Sequence, residues 1–258
     1  MQSVRDLIVL ITGASSGIGE ACAYEFAGAG ARLVLTARRS QRLSSLKAQL
    51  HQQFGTEVEL LAFDVRDRPS ITAALESLPA EWQAIDILIN NAGLSRGLEK
   101  LHEGDIQDWE EMIDTNMKGL LYMTRAIVPG MVERGWGHVI NIGSLAGHET
   151  YPKGNVYCAT KAAVRAISEG LKQDLLGTPV RVSSVDPGLV ETEFSQVRFH
   201  GDEARAKTVY ADTVPLTAQD VAEVVLFCAG RPAHVNISEV FMMPTAQSGA
   251  TLVHRDRT

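Results

Sequence analysis

The chain has 258 residues, enough for one large α/β domain with a substantial core, or at most two small ones. Its 24 basic and 31 acidic residues leave a net charge of -7, which argues against general nucleic-acid binding. Cys22, Cys158 and Cys228 lie far apart without CxxC spacing and read as reduced thiols of a cytoplasmic protein, and no apolar run nears the ~20 residues of a membrane span or forms a signal peptide.

Leu7 to Ile11 is a continuous run of branched apolar residues, the pattern of a strand buried on both faces of a parallel sheet. It runs into Thr12-Gly13-Ala14-Ser15-Ser16-Gly17-Ile18-Gly19, and a helical pattern follows over Glu20 to Ala29. Strand, glycine turn, helix is the context of a phosphate-binding loop. Gly13 would permit the tight turn, Gly17 the approach of backbone to a pyrophosphate, and Gly19 close helix–strand packing. The bland alternative is an ordinary strand-to-helix turn. Arg32 to Thr36 reads as the second strand. Past its end, where an NAD-selective fold places an acid for the ribose 2′-hydroxyl, stand Arg38 and Arg39. A guanidinium fork suits a phosphate, so NADP(H) is the expected cofactor. Arg38 is assigned to the 2′-phosphate, with Arg39 stacking on adenine or joining it; otherwise both simply begin a solvated helix running to about Phe54.

Val58 to Phe63 is the third strand, with Asp64 and Val65 at its ligand-facing end, Asp64 as acceptor for the adenine amino group. Asp67 to Leu78 is helical, with Pro69 in its first turn. Ile85 to Ile89 is the fourth strand, opening into Asn90-Asn91-Ala92-Gly93. There the asparagines can tie strands together and the small residues leave room for a ribose and nicotinamide. Asp105 to Glu133 holds one long helix or two. Asn116 inside it is either a satisfied core residue or a local distortion that holds a water. Gly137 to Ile142 is the fifth strand, delivering Ser144 to the ligand rim. The helix Asn155 to Leu176 puts Tyr157 and Lys161 on one face, one turn apart. A cation beside a phenol lowers its pKa and suits it to acid–base work near neutrality.

Val180 to Val185 is the sixth strand, followed by a turn at Pro187-Gly188 expected to offer backbone groups to a carboxamide, with Val190 and Thr192 nearby. Glu193 to Thr213 is polar and irregular and suits a mobile lid, spanning about 190–213. Ala218 to Ala229 is a helix capped by Thr217, and Asn236 to Met243 is the seventh strand. The tail, about 244–258, lacks periodicity and could dock on a neighbouring subunit. The strand–helix alternation without linker or repeat predicts a single α/β domain over 1–258 with right-handed crossovers. The seven histidines show no metal-ligand spacing, so no metal is expected.

The ordered motifs TGASSGIG at Thr12–Gly19, NNAG at Asn90–Gly93, Asn116, Ser144, YCATK at Tyr157–Lys161 and PGLVET at Pro187–Thr192 resemble the short-chain dehydrogenase/reductase family over nearly the whole chain. The resemblance implies a single-domain Rossmann-type three-layer sandwich with a seven-stranded parallel sheet, and it implies that Tyr157 is the catalytic acid/base and that Lys161 lowers its pKa and binds the nicotinamide ribose. It also implies that Ser144 positions the substrate oxygen and that Asn116 supports a proton-relay water. Thr192–Phe199, Arg231–Ile237 and Met243–Thr245 are similar to a subgroup of bacterial NADP-dependent serine/3-hydroxy acid dehydrogenases. That likeness implies oxidation of L-serine, L-allo-threonine or 3-hydroxypropionate-type acids, a metal-independent reaction and a tetramer. Cys158 departs from the Gly or Ser common after the tyrosine. A substrate carboxylate needs a cation, and Arg198 in the lid is the candidate, unless it is an exposed loop arginine. A broad carbonyl or sulfoacetaldehyde reductase stands as the alternative within the family, and a non-catalytic NADP-binding regulator outside it.

Overall fold

The computed structural model describes residues 3–256. The chain runs β1 (Ile8–Thr12), α1 (Gly17–Gly28), β2 (Arg32–Ala37), α2 (Ser40–Phe54), β3 (Val58–Ala62), α3 (Arg68–Glu76) and β4 (Ile87–Asn90). It continues through α4 (Ile106–Ile113), a π-helical turn (Asp114–Gly119), α5 (Leu120–Arg134), β5 (Gly137–Ile142), α6 (Asn155–Asp174) and β6 (Val180–Pro187). Last come β7 (Val190–Glu191), α7 (Phe194–Arg198), α8 (Glu203–Thr208), β8 (Leu216–Thr217), α9 (Ala218–Ala229) and β9 (Glu239–Met242). The main sheet has seven parallel strands in the order β3-β2-β1-β4-β5-β6-β9, and β7 pairs with β8 in a separate two-stranded ribbon.

Alternation along each strand explains why the runs are apolar throughout. Val9 and Ile11 of β1 join Leu33, Leu35, Ile87 and Ile89 in a core closed by α1, α2 and α9. Ile8 and Leu10 join Val34, Leu88, Val139 and Val182 in a second core closed by α3 and α5. With no face left to water, a polar residue in the central strands has to find a partner inside the sheet. Asn90 does so, donating to Asn141 Oδ1 at 2.9 Å and to Thr124 Oγ1 at 3.2 Å.

Of the alternatives left for Asp105 to Glu133, the structure has two helices, separated by the π turn that holds Asn116. Two sequence expectations need revision. The expected strand Asn236 to Met243 begins only at Glu239. The reason is that Asn236 uses its side-chain amide as a substitute peptide: Oδ1 accepts from Val182 N at 2.9 Å and Nδ2 donates to Val182 O at 2.7 Å. The lid is not irregular, since α7 and α8 occupy it, and Asp202 caps α8 by accepting from Arg205 N at 3.0 Å. The tail makes contacts within its own chain: Ala250 N donates to Glu149 Oε2 at 2.8 Å, and Asp256 N to Asp212 O at 3.0 Å at the end of the lid. By contrast, α9 carries the Thr217 cap as read from sequence, in a capping box with Asp220.

Burial pushes the Cys22 thiol up from 9.0 to about 12 and the Cys228 thiol to about 11. The unfolded chain therefore releases these protons first, and between these values the native state binds more protons than the unfolded one. Their stabilising contribution is complete below pH 9.0 and is lost as pH rises toward 12. The melting temperature should fall between pH 9 and 10.5, and Cys22→Ala should make that fall shallower, by up to ~1.4 kcal/mol per pH unit for one thiol. Thermal melts across the range measure the slope; parallel slopes for the variant and the parent would contradict the assignment.

Candidate active site

A cleft of about 450 Å³ opens over the C-terminal ends of the strands, where β1 and β4 lie side by side and their following loops diverge. The two strand ends are stitched together. Thr12 Oγ1 accepts from Asn91 N and Ala92 N, both at 2.9 Å, and donates to Ile89 O at 3.3 Å. Asn91 Nδ2 returns a bond to Thr12 O at 2.9 Å. Gly13 and Gly17 take φ values of +66° and +58°, the left-handed region open to glycine. A Cβ on Gly19 would fall 2.4 Å from Asn91 Nδ2 and 2.5 Å from Gly13 O, so this glycine serves close packing, as its spacing implied.

Of the sequence-predicted residues, Gly13, Ser15, Ser16, Gly17 and Ile18 line one end of the cleft, beside Arg38, Arg39, Asp64 and Val65. Asn91, Gly93, Ser144, Tyr157 and Lys161 line the other end, facing Pro187, Gly188, Val190, Thr192 and Arg198. Thr12, Gly19, Asn90 and Asn116 stand behind this wall and hold it in shape rather than face the cleft. Arg39 lies across the glycine loop, donating to Ser15 Oγ at 3.1 Å and Ser16 Oγ at 2.6 Å, and reaches Glu193 at the lid's root at 3.0 Å. Arg38 is half exposed, 3.8 Å from Asp64. Burial alone would raise the Asp64 carboxyl, but hydrogen bonds from Arg66 outweigh it and hold the group below its usual range. Arg66 takes up most of that carboxylate's acceptor capacity where it lines the cleft.

In the turn after β6, Gly188 N donates to Met242 O at 2.8 Å and Leu189 N to Gln247 Oε1 at 2.8 Å, so these two amides are engaged within the protein. Gln247, in the aperiodic tail, carried no sequence signal; a Cβ on Gly188 would block it at 2.2 Å.

The reacting end is built on α6. Tyr157 and Lys161 are both buried there, and Ser144 lines the same end of the cleft. Ser144 opens a 3-10 turn, accepting from Ala146 N at 3.1 Å. Lys161 Nζ donates to Ile142 O at 2.8 Å, and burial pushes the ammonium down to about 8, against an upward pull from Asp186. The expected lowering of the phenol by Lys161 is not seen. Burial raises Tyr157 above its usual range, Tyr151 adds to this, and Arg198 and Ser144 oppose it. Helical spacing brought the two side chains to one face, but the ammonium settles on the end of β5, and the cation lying against the phenol is Arg198.

Arg198 is buried, not an exposed loop residue. Its guanidinium carbon stands 5.4 Å from the Tyr157 ring centre, 5.2 Å from Phe194 and 6.0 Å from Tyr151. Nε donates to Ser95 Oγ at 3.0 Å and Nη2 to Tyr151 Oη at 2.9 Å. Among the described residues no carboxylate pairs with it. Sequence reasoning passed over Tyr151 and Ser95; an aromatic between Ser144 and Tyr157 was the only available signal. Asn116 does distort its helix, as its polarity suggested. Its side chain is taken up by Leu94 N and O, both at 2.8 Å, and by Thr160 Oγ1 at 3.0 Å, so it clamps the loop after β4 to α6. Among the described residues one group has metal-ligand character: His148, Asp186 and Glu239, with ligand atoms within 4.8 Å of one another. It lies behind the cleft wall, and its members are too far apart in the chain to show as a ligand motif.

The left-handed glycines, the backbone approach they allow and the arginine pair at one end fit a phosphate-bearing dinucleotide. The comparisons with known proteins agree. The short chain dehydrogenase family profile matches residues 7–203. The chain is 53% identical over 251 residues to an NADP-dependent 3-hydroxy acid dehydrogenase of Escherichia coli (strain K12), covering 96% of this chain and 100% of that one. It is 45% identical over 248 residues to an NADP-dependent 3-hydroxy acid dehydrogenase of Schizosaccharomyces pombe, covering 96% of each. A solved closed form of serine dehydrogenase complexed with NADP+ superposes with a TM-score of 0.92 at 53% identity, over 97% of this chain and 100% of that one.

Because both partners at Gly19 are held by the strand stitch, Gly19→Ala should cost ~1–3 kcal/mol through overpacking. A melting temperature within a degree of the parent would show that the wall yields there.

Proposed function

The chain belongs to the short-chain dehydrogenase family, and on that premise we propose that it interconverts the hydroxyl of a small 3-hydroxy acid, of the L-serine, L-allo-threonine or 3-hydroxypropionate type, and the corresponding carbonyl. It is an NADP-dependent oxidoreductase. The observation that carries the substrate class is Arg198: a buried guanidinium without a carboxylate partner among the described residues, set against the ring of Tyr157 at the reacting end of the cleft. Two of its five donors are used on Ser95 and Tyr151, which leaves the remainder for an anionic group.

Bound NADP(H) supplies or accepts the hydride. The chain's residues do the rest. Arg38 and Arg39 hold the 2′-phosphate end, and Ser15, Ser16, Gly17 and Ile18 cradle the phosphates. Ser144 orients the substrate oxygen beside the Tyr157 phenol. A phenol raised by burial keeps its proton at neutral pH and gives it to that oxygen when the carbonyl is reduced; in oxidation the same group takes the proton back. Lys161, tied to Ile142 O, presents a buried cation to the ribose end. Arg198 fixes the substrate's acid group, so that its reacting carbon lies where the proton and the hydride meet. A sulfonate has the same charge and hydrogen-bonding capacity as a carboxylate, so a sulfoacetaldehyde-type substrate is the second reading supported by this arginine.

Two variants test these assignments. Arg38→Ala should weaken NADP(H) binding roughly 10- to 100-fold and leave NAD(H) binding nearly unchanged, because only NADP(H) has the phosphate to lose. Fluorescence titration reads both constants, and equal weakening would remove Arg38 from that role. For the substrate, L-serine, L-allo-threonine, 3-hydroxypropionate, isethionate and neutral secondary alcohols should be compared with NADP+. The acids should be preferred, and Arg198→Ala should raise their KM roughly tenfold or more while sparing the neutral alcohols. Preference for the neutral alcohols would favour a broad carbonyl reductase. Cofactor binding without turnover on any substrate would favour a regulator.

A further inference from the structure

The first lid helix, α7, is five residues long, too short to hold itself together, and its last carbonyls need partners from outside. The loop after β4 supplies them and more, from three consecutive residues. Ser95 Oγ accepts from Arg198 Nε at 3.0 Å, Arg96 Nη1 donates to Val197 O, and Gly97 N donates to Arg198 O at 3.0 Å. The loop is itself fixed from behind, because Asn116 bonds both the amide and the carbonyl of Leu94. The guanidinium set against Tyr157 therefore depends for its place on a docking of α7 onto residues 95–97.

Of these three contacts, the one from Arg96 has an anchor of its own. Arg96 Nε donates to Glu111 Oε2 of α4 at 2.7 Å, and both side chains are 17% exposed, so the pair is partly shielded from water and salt. The other Glu111 oxygen faces Arg66 Nη1 at 3.7 Å, and Arg66 in turn holds Asp64. Arg96 is thus a strut with two fixed ends: Nε on the carboxylate of α4, Nη1 on the carbonyl one residue before Arg198. Val197 O also receives His200 N at 3.3 Å, and among the described residues no other side chain donates to it. A guanidinium on the last carbonyls of a helix is favourable in charge as well as in hydrogen bonding. Arg96 itself lies outside the cleft wall, which Arg198 lines.

We propose that Arg96 is a positioning residue for Arg198 and, through it, a determinant of specificity for acidic substrates: braced by Glu111, it fixes the end of α7 so that the Arg198 guanidinium stays against Tyr157 at the reacting end of the cleft. The inference rests on Arg198 holding the substrate's acid group. It separates from a merely structural role in a definite way. A residue that only stabilised the fold would weaken turnover of acids and neutral alcohols alike. A residue that acts by placing Arg198 weakens the acids alone, and does so only while Arg198 is present.

The experiment is a mutant cycle on the full-length enzyme with NADP+, read on 3-hydroxypropionate and on a neutral secondary alcohol. Arg96→Ala should raise KM for the acid roughly fivefold or more and leave KM for the alcohol within about twofold. Glu111→Gln keeps the shape of the brace but removes its charge, and should shift the acid KM in the same direction by less. In an Arg198→Ala background, Arg96→Ala should change the acid KM by less than about twofold, because the residue it acts through is gone. Amide exchange over residues 194–200, followed by mass spectrometry, should be roughly tenfold faster or more in Arg96→Ala. An unchanged acid KM in Arg96→Ala, equal losses on both substrates, or a fully additive loss in the double variant would each overturn the proposal. Should Arg96→Ala fail to fold, an unchanged acid KM in Glu111→Gln would do the same. An unchanged acid KM in Arg198→Ala, or a parent without turnover, would instead overturn the functional reading; the exchange rates then judge the brace, and unaltered exchange in Arg96→Ala would overturn that too.

Discussion

The reciprocal hydrogen bonds between Thr12 and Asn91 are the constraint on which the cleft depends. Two neighbouring parallel strands end side by side, and their chains leave in different directions, which would open a hole in the sheet's rim. The Thr12 hydroxyl closes it by accepting two consecutive amides from the loop after β4, while the Asn91 amide returns to the carbonyl of Thr12. Once these atoms are in place, the residues above them must be small. Gly13 and Gly19 have no room for a side chain because Asn91 and the opposing backbone already occupy it. The glycine loop is therefore the consequence of a tightly tied strand pair as much as a cradle for phosphates.

From this floor the site is arranged by burial. Lys161 and Arg198 are charged groups removed from water, and each is held by carbonyl or hydroxyl oxygens instead of by an ion pair of its own. Such groups interact through a medium of low polarizability, where a charge a few ångströms away matters far more than it would at the surface. Tyr157 shows the result. Its proton is governed by burial first, then by a neighbouring phenol, a guanidinium and a serine, all brought from different parts of the chain. The lid contributes directly to this environment, since Arg198 reaches the site from α7 and its carbonyl accepts from Gly97 N at 3.0 Å on the opposite rim.

The sequence was most informative where local rules suffice. Continuous branched runs marked the central strands because both faces of each strand are covered, and Thr217 marked the start of α9 because a cap is a local feature of the chain, completed in the structure by Asp220. It was least informative where a side chain takes over a backbone role. Asn236 replaces a peptide in the ladder with Val182, and Gln247 satisfies the Leu189 amide; neither leaves a periodic trace. The lid helices were obscured for a related reason: α7 and α8 are short, and polar residues such as Asp202 serve as caps, which in sequence looks like loop composition.

The sequence by itself determined the doubly wound architecture, the position of the phosphate-binding turn, the pairing of Tyr157 with Lys161 on one helix, and the arginines suited to a 2′-phosphate. These follow from spacing within single elements, where geometry is set by hydrogen bonds along the local backbone. Only the tertiary structure decided which charges face one another. It turned the Lys161 ammonium onto Ile142, set Arg198 against Tyr157, and engaged Asp64 with Arg66. The physical reason is that a long charged side chain goes to whichever fixed dipole or charge lies within reach after the strands and helices have packed, and that choice depends on partners tens of residues away.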